Sequence, residues 1–228
     1  MKKIAILQSN YVPWLGYFQL IDSVDEFILY DDVQFTRRDW RNRNRIKTPQ
    51  GVQWLSIPVG KSIHRRIRDV EVCAPWRENH WETLERNYRQ ALSFNETAEW
   101  LQPLYLESQI TNLSDINKSL IEAICDKLGI KTRITSSSDY ELIGDRNERL
   151  VNLCLQTTAT HYVSGPAAKA YLDSQKFSEN SISVDWFDYS EQNPYPQLWG
   201  GFVEGLSVLD GLFNIGSKLM RVFPRSQE

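Results

Sequence analysis

Short apolar strands alternate with amphipathic helices along almost the whole chain, and this alternation places the fold in the α/β class. Near the N-terminus, a predicted strand at residues 3–8 is followed by a turn, a short helix at 17–21 and a second strand at 26–30. A strand–helix–strand unit favours parallel pairing of its two strands. We therefore expect a Rossmann-like, mostly parallel sheet in the N-terminal part, followed by a helical or mixed remainder.

The remaining predicted elements continue this alternation. They are helices at 80–92, 97–109, 115–128, 145–158 and 205–213, a helix beginning near 164–166, and strands at 54–59, 130–135, 161–163 and 182–187. For the helix at 115–128, Ser114 is the expected N-cap and Gly129 the residue that ends it. Because no repeat or low-complexity linker interrupts the pattern, we expect one domain over residues 1–228, with a candidate lobe boundary near 60–80.

The composition excludes several classes of protein. Of the 228 residues, 41% are hydrophobic and 24% are charged, which is typical of a globular domain. No stretch approaches the ~18 apolar residues of a membrane span, and the N-terminal apolar run is too short for a secretory signal. Cys73, Cys125 and Cys154 are isolated, and the last two lie among apolar helix positions, as core residues do. These cysteines and three separated histidines predict a reduced, cytoplasmic protein without a metal site.

Charge is distributed unevenly along the chain. The formal net charge is −3, but residues 36–68 carry +9, so that the other 195 residues carry −12. Within residues 36–47, arginine outnumbers lysine five to one, which suits bidentate recognition of phosphate or carboxylate groups. The partner that this segment predicts is therefore an anionic small molecule.

The basic segment supplies six candidate substrate-binding residues. They are Arg37, Trp40, Asn42, Arg43, Asn44 and Arg45. On a strand, alternate residues share a face, which would place the arginines at 41, 43 and 45 on one side and Trp40 with the two asparagines on the other. Arginine interleaved with an aromatic residue is also typical of nucleic-acid binding, which the acidic remainder and an isoelectric point near 5.7 disfavour. A solvated basic face without a ligand is the plain alternative.

The loop after the first strand is a second candidate site. In a parallel sheet, ligands bind beyond the carboxyl ends of the strands, and this loop carries amide, phenol and indole side chains. The candidate residues are Gln8, Tyr11, Trp14 and Tyr17. The loop is neither a Walker A nor a Gly-x-Gly-x-x-Gly loop. In the structural alternative, Pro13, Trp14 and Gly16 form no more than a tight, packed turn.

Two adjacent carboxylates follow the second strand and are the candidate catalytic residues. Because successive side chains of a strand point to opposite faces, one of Asp31 and Asp32 is expected to face a site. It would act as a general base, or hold an amine or, through water, a divalent ion. Gln34 is a candidate substrate contact in the same segment. In the alternative, one carboxylate caps a turn and the other pairs with Arg37 or Arg38.

Three further polar residues have both a functional and a structural interpretation. Ser164 would bind an anion at a helix N-terminus, or would only cap that helix. Asp210 and Asn214 lie four residues apart on one helical face, where they would reach a cleft or bond to each other. The sequence has no Gly-x-Ser-x-Gly elbow and no Cys/His pair, so it indicates no covalent nucleophile, and it specifies no cofactor.

Taken in order, segments along the whole chain resemble the WbqC-like protein family. They are Ile6-Leu7-Gln8 with Tyr11 and Pro13, the residues from Trp14 to Phe18, from Tyr30 to Phe35, Trp40 with Asn42 to Ile46, Tyr162 to Gly165, Tyr171-Leu172, and Leu206 to Gly216. The chain departs from the family pattern at Ser9-Asn10, where a proline and an aromatic residue are expected.

This resemblance implies a group transferase of bacterial surface-polysaccharide or O-antigen biosynthesis. It would transfer an amino acid such as glycine, or an acyl group, to a nucleotide-linked sugar. Asp31 or Asp32 would deprotonate an incoming amine or hydroxyl, the arginines at 37, 43 and 45 would bind the anion, and Gln8, Tyr11 and Trp14 would orient the acceptor. The alternative function is a non-catalytic module that binds a nucleotide, a nucleic acid or a polysaccharide-assembly partner.

Overall fold

The computed structural model describes residues 1–189 and 194–221, which form seven strands and seven helices. The strands are β1 (Lys3–Leu7), β2 (Glu26–Leu29), β3 (Arg43–Thr48), β4 (Gly51–Ser56), β5 (Arg133–Ser136), β6 (His161–Ser164) and β7 (Ser183–Trp186). The helices are α1 (Leu15–Asp22), α2 (Arg77–Tyr88), α3 (Phe94–Leu106), α4 (Leu113–Leu128), α5 (Arg146–Gln156), α6 (Ser174–Ser178) and α7 (Val208–Ile215). No helix in these two ranges is long and apolar enough to cross a membrane.

Five strands form one parallel sheet in the order β5-β2-β1-β6-β7. The β1–β2 pairing places Ala5 beside Phe27 in parallel register, as the strand–helix–strand pattern predicts. The α/β class and the parallel sheet are therefore confirmed, and three of the five strands come from the second half of the chain. The strand order reverses between β1 and β6. In α/β proteins, ligands bind beyond the carboxyl ends of the strands near such a reversal.

Each face of the sheet is covered by its own hydrophobic cluster, because successive strand side chains point in opposite directions. Ala5 and Phe27 pack into the larger cluster with residues of α1–α4 and α7, whereas Ile4 packs into the smaller one with α5 and α6. Cys125 lies in the larger cluster and Cys154 in the smaller, so their predicted burial is confirmed. Burial raises the pKa of both thiols to about 12.

The basic segment contains a second sheet, the antiparallel hairpin of β3 and β4. Asn44 and Ile46 turn inwards and are buried, while Arg43 and Arg45 lie on the opposite face. The predicted alternation therefore holds inside β3 but is wrong for residues 40–42, because they precede the strand. β4 covers Gly51–Ser56 and so begins three residues before the predicted strand at 54–59.

Two predicted helix starts differ from the structure. The N-cap of α4 is Asn112 and not Ser114, because the Asn112 Oδ1 accepts hydrogen bonds from the backbone N–H groups of Ser114 (3.0 Å) and Asp115 (3.3 Å). The helix predicted near 164–166 is a 3-10 turn over Pro166–Ala170. At the other end of α4, Gly129 adopts the left-handed conformation with a φ of 75°, as predicted.

Candidate functional site

The loop between β1 and α1 is held in a strained conformation by two neighbouring elements. Val12 has a φ of 36°, a value that is unfavourable for a β-branched residue. The Asn44 Nδ2 of the hairpin donates to the carbonyl oxygens of Tyr11 (3.1 Å) and Val12 (2.9 Å), and the Ser207 hydroxyl donates to the Val12 carbonyl (2.7 Å). The conformation of the loop therefore depends on two distant residues. Asn44 follows Val12 by 32 positions, and Ser207 follows it by 195.

Two loop tyrosines that the sequence assigns to substrate binding lie in the core. The Tyr11 hydroxyl bonds to His80 Nδ1 (2.9 Å) and to the Tyr105 hydroxyl (2.7 Å), and the Tyr17 hydroxyl donates to the carbonyl oxygen of Gln8 (3.0 Å). Burial raises the pKa of both phenols. These hydroxyls bind protein atoms, so their role in the structure is to position the loop.

A cavity of about 260 Å³ lies between this loop and the hairpin, and we call it the aromatic cavity. Its lining residues are Asn10, Pro13, Trp14, Trp40, Asn44, Arg45 and Gly205. The structure thus brings together four predicted site residues, two of them indoles, from segments about 30 residues apart. A cavity with two large aromatic side chains and one arginine has the composition of a small-molecule site.

The position of Trp14 in the cavity wall depends on a glycine. The indole folds back over Gly16, where an added Cβ would lie 2.3 Å from the Trp14 Cη2. The indole also packs against the Tyr189 ring, with 5.1 Å between ring centroids. Gly16 therefore provides the space that lets the Trp14 indole approach α1 this closely.

Arg45 is the charged group of the aromatic cavity. Its Nη2 donates to the Gly205 carbonyl (3.0 Å), and its guanidinium carbon lies 5.6 Å from the ring centre of Trp40. The Arg45 Nε is buried and has no hydrogen-bond partner among the described residues. An unsatisfied buried donor lowers the stability of the fold, so this nitrogen does not contribute to holding the hairpin together.

The other basic-segment candidates lie outside this cavity. Arg43 stacks on Trp54 at 4.1 Å from its ring centre and donates to the Arg38 carbonyl. Arg37 is exposed, and the Asn42 Nδ2 donates to the Ile57 carbonyl (2.8 Å). Arg43 and Arg37 are therefore accessible only to a ligand that extends beyond the aromatic cavity.

Asp31 is a buried carboxyl group, 3% exposed, at the carboxyl end of β2. Its Oδ1 accepts from the Ser9 backbone N–H (2.8 Å), and its Oδ2 accepts from the Ser114 hydroxyl. Burial raises the pKa of Asp31, and the hydrogen bonds from Ser114 and Ser9 oppose this effect only in part. The carboxyl group is therefore a better proton acceptor than an exposed aspartate.

Asp32 is held by two ion pairs. Its Oδ1 lies 3.2 Å from Arg66 Nη1 and 3.0 Å from Arg68 Nη1, and its Oδ2 accepts from the Ser137 hydroxyl (2.9 Å). The alternative in which one carboxylate pairs with Arg37 or Arg38 is therefore wrong in its partners, since the pairing arginines follow Asp32 by 34 and 36 positions.

Both aspartates line a second cavity of about 230 Å³, which we call the carboxylate cavity. It is lined by Leu29, Asp31, Asp32, Arg68, Asn112, Ser114, Asp115, Ser136, Ser137 and Ser138. One short segment connects the two cavities: Ser9 bonds to Asp31 of the carboxylate cavity, and the next residue, Asn10, lines the aromatic cavity. Asn117 braces this segment by donating to the Ser9 hydroxyl (3.0 Å) and to the Arg41 carbonyl (2.9 Å).

Asp210 and Asn214 belong to neither cavity. Asp210 is fully buried and accepts from the hydroxyls of Tyr88 (2.8 Å) and Tyr195 (2.9 Å), and Asn214 Nδ2 donates to the Asp210 carbonyl (2.8 Å). Burial raises the pKa of Asp210. Of the two alternatives for this pair, the structure shows the one in which the residues bond to each other.

Three other candidates also lie outside the two cavities. Gln34 is exposed and forms a bridge to Arg66, and the buried Ser164 hydroxyl contacts the Tyr162 hydroxyl (3.4 Å). The half-buried Gln8 accepts from Tyr17 through its backbone carbonyl. Within the described ranges, no group of three or more His, Cys, Asp or Glu residues is arranged to hold a metal ion.

Sequence patterns missed several residues that the structure places at these sites. Arg66, Arg68 and Ser137 contact Asp32 from segments 34 to 105 residues away, and no local motif predicts such a contact. Ser114 gave a signal, but as a helix cap. The sequence pattern placed Trp54 in a strand, but only the structure shows that its side chain is exposed on the hairpin.

Comparison with known proteins identifies the family of the chain. The sequence profile of the WbqC-like protein family matches residues 8–222. A relative in Mycobacterium tuberculosis, named Uncharacterized protein Rv1507c, is 56% identical over 221 residues, which are 96% of this chain and 96% of that protein. No solved structure matches the chain. Since the profile covers nearly the whole chain, the protein belongs to the WbqC-like protein family.

Proposed function

We propose that this protein is a group transferase whose aromatic cavity binds an anionic, ring-bearing small molecule of the nucleotide-linked sugar class. The observation that carries the proposal is the combination of two indoles and the Arg45 guanidinium around one cavity. Indole rings provide broad apolar contact area for a sugar or base ring, and a guanidinium binds phosphate through paired hydrogen bonds. The proposed setting is bacterial surface-polysaccharide or O-antigen biosynthesis in the cytoplasm, as family membership suggests.

Arg45 is the proposed anion-binding group. Its Nη2 is fixed by the carbonyl of Gly205, while its buried Nε has no hydrogen-bond partner among the described residues. A guanidinium that is anchored at one nitrogen loses little further side-chain entropy when another nitrogen binds a ligand.

Asp31 is the proposed general base, with Ser114 as the hydroxyl that connects it to the carboxylate cavity. A hydroxyl or amine of the sugar that reaches the carboxylate cavity would give its proton to Ser114 Oγ as the Ser114 hydroxyl proton passes to Asp31. The freed lone pair would attack the carbonyl carbon of an activated acyl or aminoacyl donor, and the donor's leaving group would depart with its electron pair. Asp32 is less suited to this role because two guanidinium groups and a hydroxyl already engage it.

The base assignment is tested by comparing Asp31→Asn with Asp32→Asn in a transfer assay. The assay uses labelled amino-acid and acyl donors with a panel of nucleotide-linked sugars. We expect Asp31→Asn to lower turnover by about 10²- to 10⁴-fold, the range of general-base catalysis, and Asp32→Asn to lower it less. Unchanged turnover in both variants would contradict the assignment of Asp31 as the general base.

Ligand binding is tested by calorimetric titration with uridine, guanosine and thymidine diphosphate hexoses. We expect Arg45→Gln to weaken binding by about 10- to 100-fold, since a charge-assisted hydrogen bond contributes roughly 1.5–3 kcal/mol. The matched control is Arg86→Gln on the exposed side of α2, which should bind like the wild type. Equal affinities of all three proteins would contradict the proposal.

A second candidate function, a nucleic-acid-binding module, is favoured by one observation. Arg37 and Arg38 are exposed, as are Trp40 and Trp54, and single-stranded nucleic acids bind surfaces that combine arginine with aromatic rings. Binding of an oligonucleotide would weaken steeply with salt, because each neutralised phosphate releases counterions. A nucleotide-linked sugar carries few phosphates, so its affinity should depend on salt much less.

A further inference from the structure

Two exposed indoles form a continuous surface beside the aromatic cavity. Trp40 is 39% and Trp54 is 42% exposed, and their ring centroids are 5.4 Å apart. Trp40 also lines the aromatic cavity, whereas Trp54 does not. Aromatic surface therefore runs without interruption from the cavity to the outward face of the hairpin.

Positive charge accompanies these rings. Trp54 lies opposite Arg45 in the hairpin, and directly paired strand residues share a face. The guanidinium carbon of Arg43 lies 4.1 Å from the Trp54 ring centre, and that of Arg45 lies 5.9 Å from it. We call the surface formed by Arg43, Trp40 and Trp54 the hairpin platform.

The platform is built at a cost to the folded protein. The Nε atoms of Arg43 and Arg45 are both buried without a hydrogen-bond partner in the described part of the chain. Two large apolar rings are left partly in water on the same face. Neither feature stabilises the hairpin, and unsatisfied buried donors together with exposed aromatic side chains are features of binding sites.

The size of the aromatic cavity limits what it can contain. At about 260 Å³ it falls below the ~300–1,000 Å³ of sites that enclose a whole drug-sized ligand. It is therefore too small to enclose a whole nucleotide-linked sugar, although a single ring of that ligand would fit. The remainder must lie outside the cavity, and the neighbouring surface that continues its aromatic wall is the hairpin platform.

We infer that the hairpin platform is a nucleotide subsite, on which a base stacks against Trp54 and Trp40 while its diphosphate lies between Arg43 and Arg45. The sugar then enters the aromatic cavity and packs against Trp14. This inference rests on the proposed function, because it divides that ligand between two adjoining surfaces. A stacked base and a diphosphate match the platform's two kinds of group, indole faces and guanidinium donors.

The test compares uridine diphosphate alone with a uridine diphosphate hexose in calorimetric titrations. Trp54→Ala should weaken binding of both probes by about tenfold, and Trp54→Phe should restore most of the affinity. Trp14→Ala should weaken binding of the hexose conjugate only. The matched control is Tyr171→Ala, which removes another exposed ring that stacks on an arginine, Arg146 at 3.5 Å, and should change neither affinity.

The outcomes separate the inference from the proposed function. If the wild type binds the hexose conjugate and Trp54→Ala binds it equally well, the subsite is wrong and the proposed function stands. If Trp14→Ala also weakens binding of the probe without a hexose, uridine diphosphate, then the nucleotide occupies the cavity. The division of the ligand between cavity and platform is then overturned. If the wild type binds neither probe, or binds an oligonucleotide far more tightly with a steep salt dependence, both proposals fail. Thermal unfolding of each variant distinguishes a loss of ligand affinity from a loss of the folded structure.

Discussion

Tyr11, His80 and Tyr105 form a buried hydrogen-bonded group beneath the loop that follows β1. The loop tyrosine that the sequence assigns to a ligand thus bonds to two side chains 69 and 94 residues further along the chain. Burial lowers the pKa of His80 to about 4, and a hydrogen bond with the Ser56 backbone opposes this effect only in part. At neutral pH the imidazole is therefore uncharged.

This pKa predicts a loss of stability in mild acid. The unfolded chain protonates His80 near pH 6.5 and the folded protein only near pH 4, so the free energy of unfolding falls as the pH drops through this window. Between pH 7.5 and 5.0 the loss should be about 2 kcal/mol, measured by urea unfolding. His80→Gln should abolish this component, and His64→Gln, at an exposed histidine, should leave it intact. Identical pH profiles for His80→Gln and the wild type would refute it.

The asparagine at position 44 shows what residue type alone can and cannot predict. Its place in the site was predicted, because an amide in a basic segment is a plausible ligand contact. In the structure its Nδ2 donates to Tyr11 and Val12, and its Oδ1 accepts from the Arg45 backbone N–H (2.8 Å). The residue lines the cavity, but these bonds engage both ends of its amide. It is a positioning residue of the loop.

Among the elements, α1 and the loop before it determine the shape of the aromatic cavity. The strand, turn and helix were predictable here, because the local apolar pattern and the turn residues specify them. The packing of Trp14 over Gly16 was not, because it depends on a side-chain orientation that Tyr189 helps to fix.

Adding a methyl group at position 16 should disturb the cavity through this contact. In Gly16→Ala the new Cβ would meet the Trp14 ring, so the indole must move and the protein should lose about 1–3 kcal/mol of stability, as overpacked sites do. Hexose-conjugate binding should weaken with it. Gly201→Ala is the control, because a Cβ there meets no atom within 4 Å. Tryptophan fluorescence and urea unfolding report both effects, and a variant as stable as the wild type with an unmoved spectrum would contradict the prediction.

Across the whole molecule, charge is concentrated near the candidate site. The +9 segment contributes Arg45 to the aromatic cavity and Arg68 to the carboxylate cavity, while Arg37 and Arg38 remain exposed outside them. In a protein with a net charge of −3, such a patch should attract anions locally and speed their association.

This attraction should change the association rate of an anionic ligand more than its equilibrium affinity. Reversing charge in the double variant Arg37→Glu, Arg38→Glu should lower the association rate of a nucleotide-linked sugar several-fold at low salt, with the difference disappearing at high salt. The double variant Arg86→Glu, Arg89→Glu changes net charge equally at exposed positions near the end of α2. Stopped-flow fluorescence compares them, and equal slowing in both variants would show a net-charge effect without local steering.

The prediction of one domain over residues 1–228, with a lobe boundary near 60–80, stays a prediction. Within that stretch, Ile67 and Val70 are buried in the same cluster as Phe27 of the sheet. The bridge from Gln34 to Arg66 and the ion pairs from Arg66 and Arg68 to Asp32 attach the stretch to the carboxyl end of β2.

The sequence by itself determined the α/β class, most of the elements, the family and the location of the basic segment, because these depend on local periodicity, turn residues and ordered motifs. The tertiary structure alone decided which polar side chains face a cavity. Asp31, Asp32 and Asp210 are the same residue type, yet one is buried beside a serine, one is paired with two arginines and one is bonded to two tyrosines in the core. Those partners lie up to 122 residues away, and burial and charge pairing depend on the three-dimensional neighbours that a local pattern does not contain.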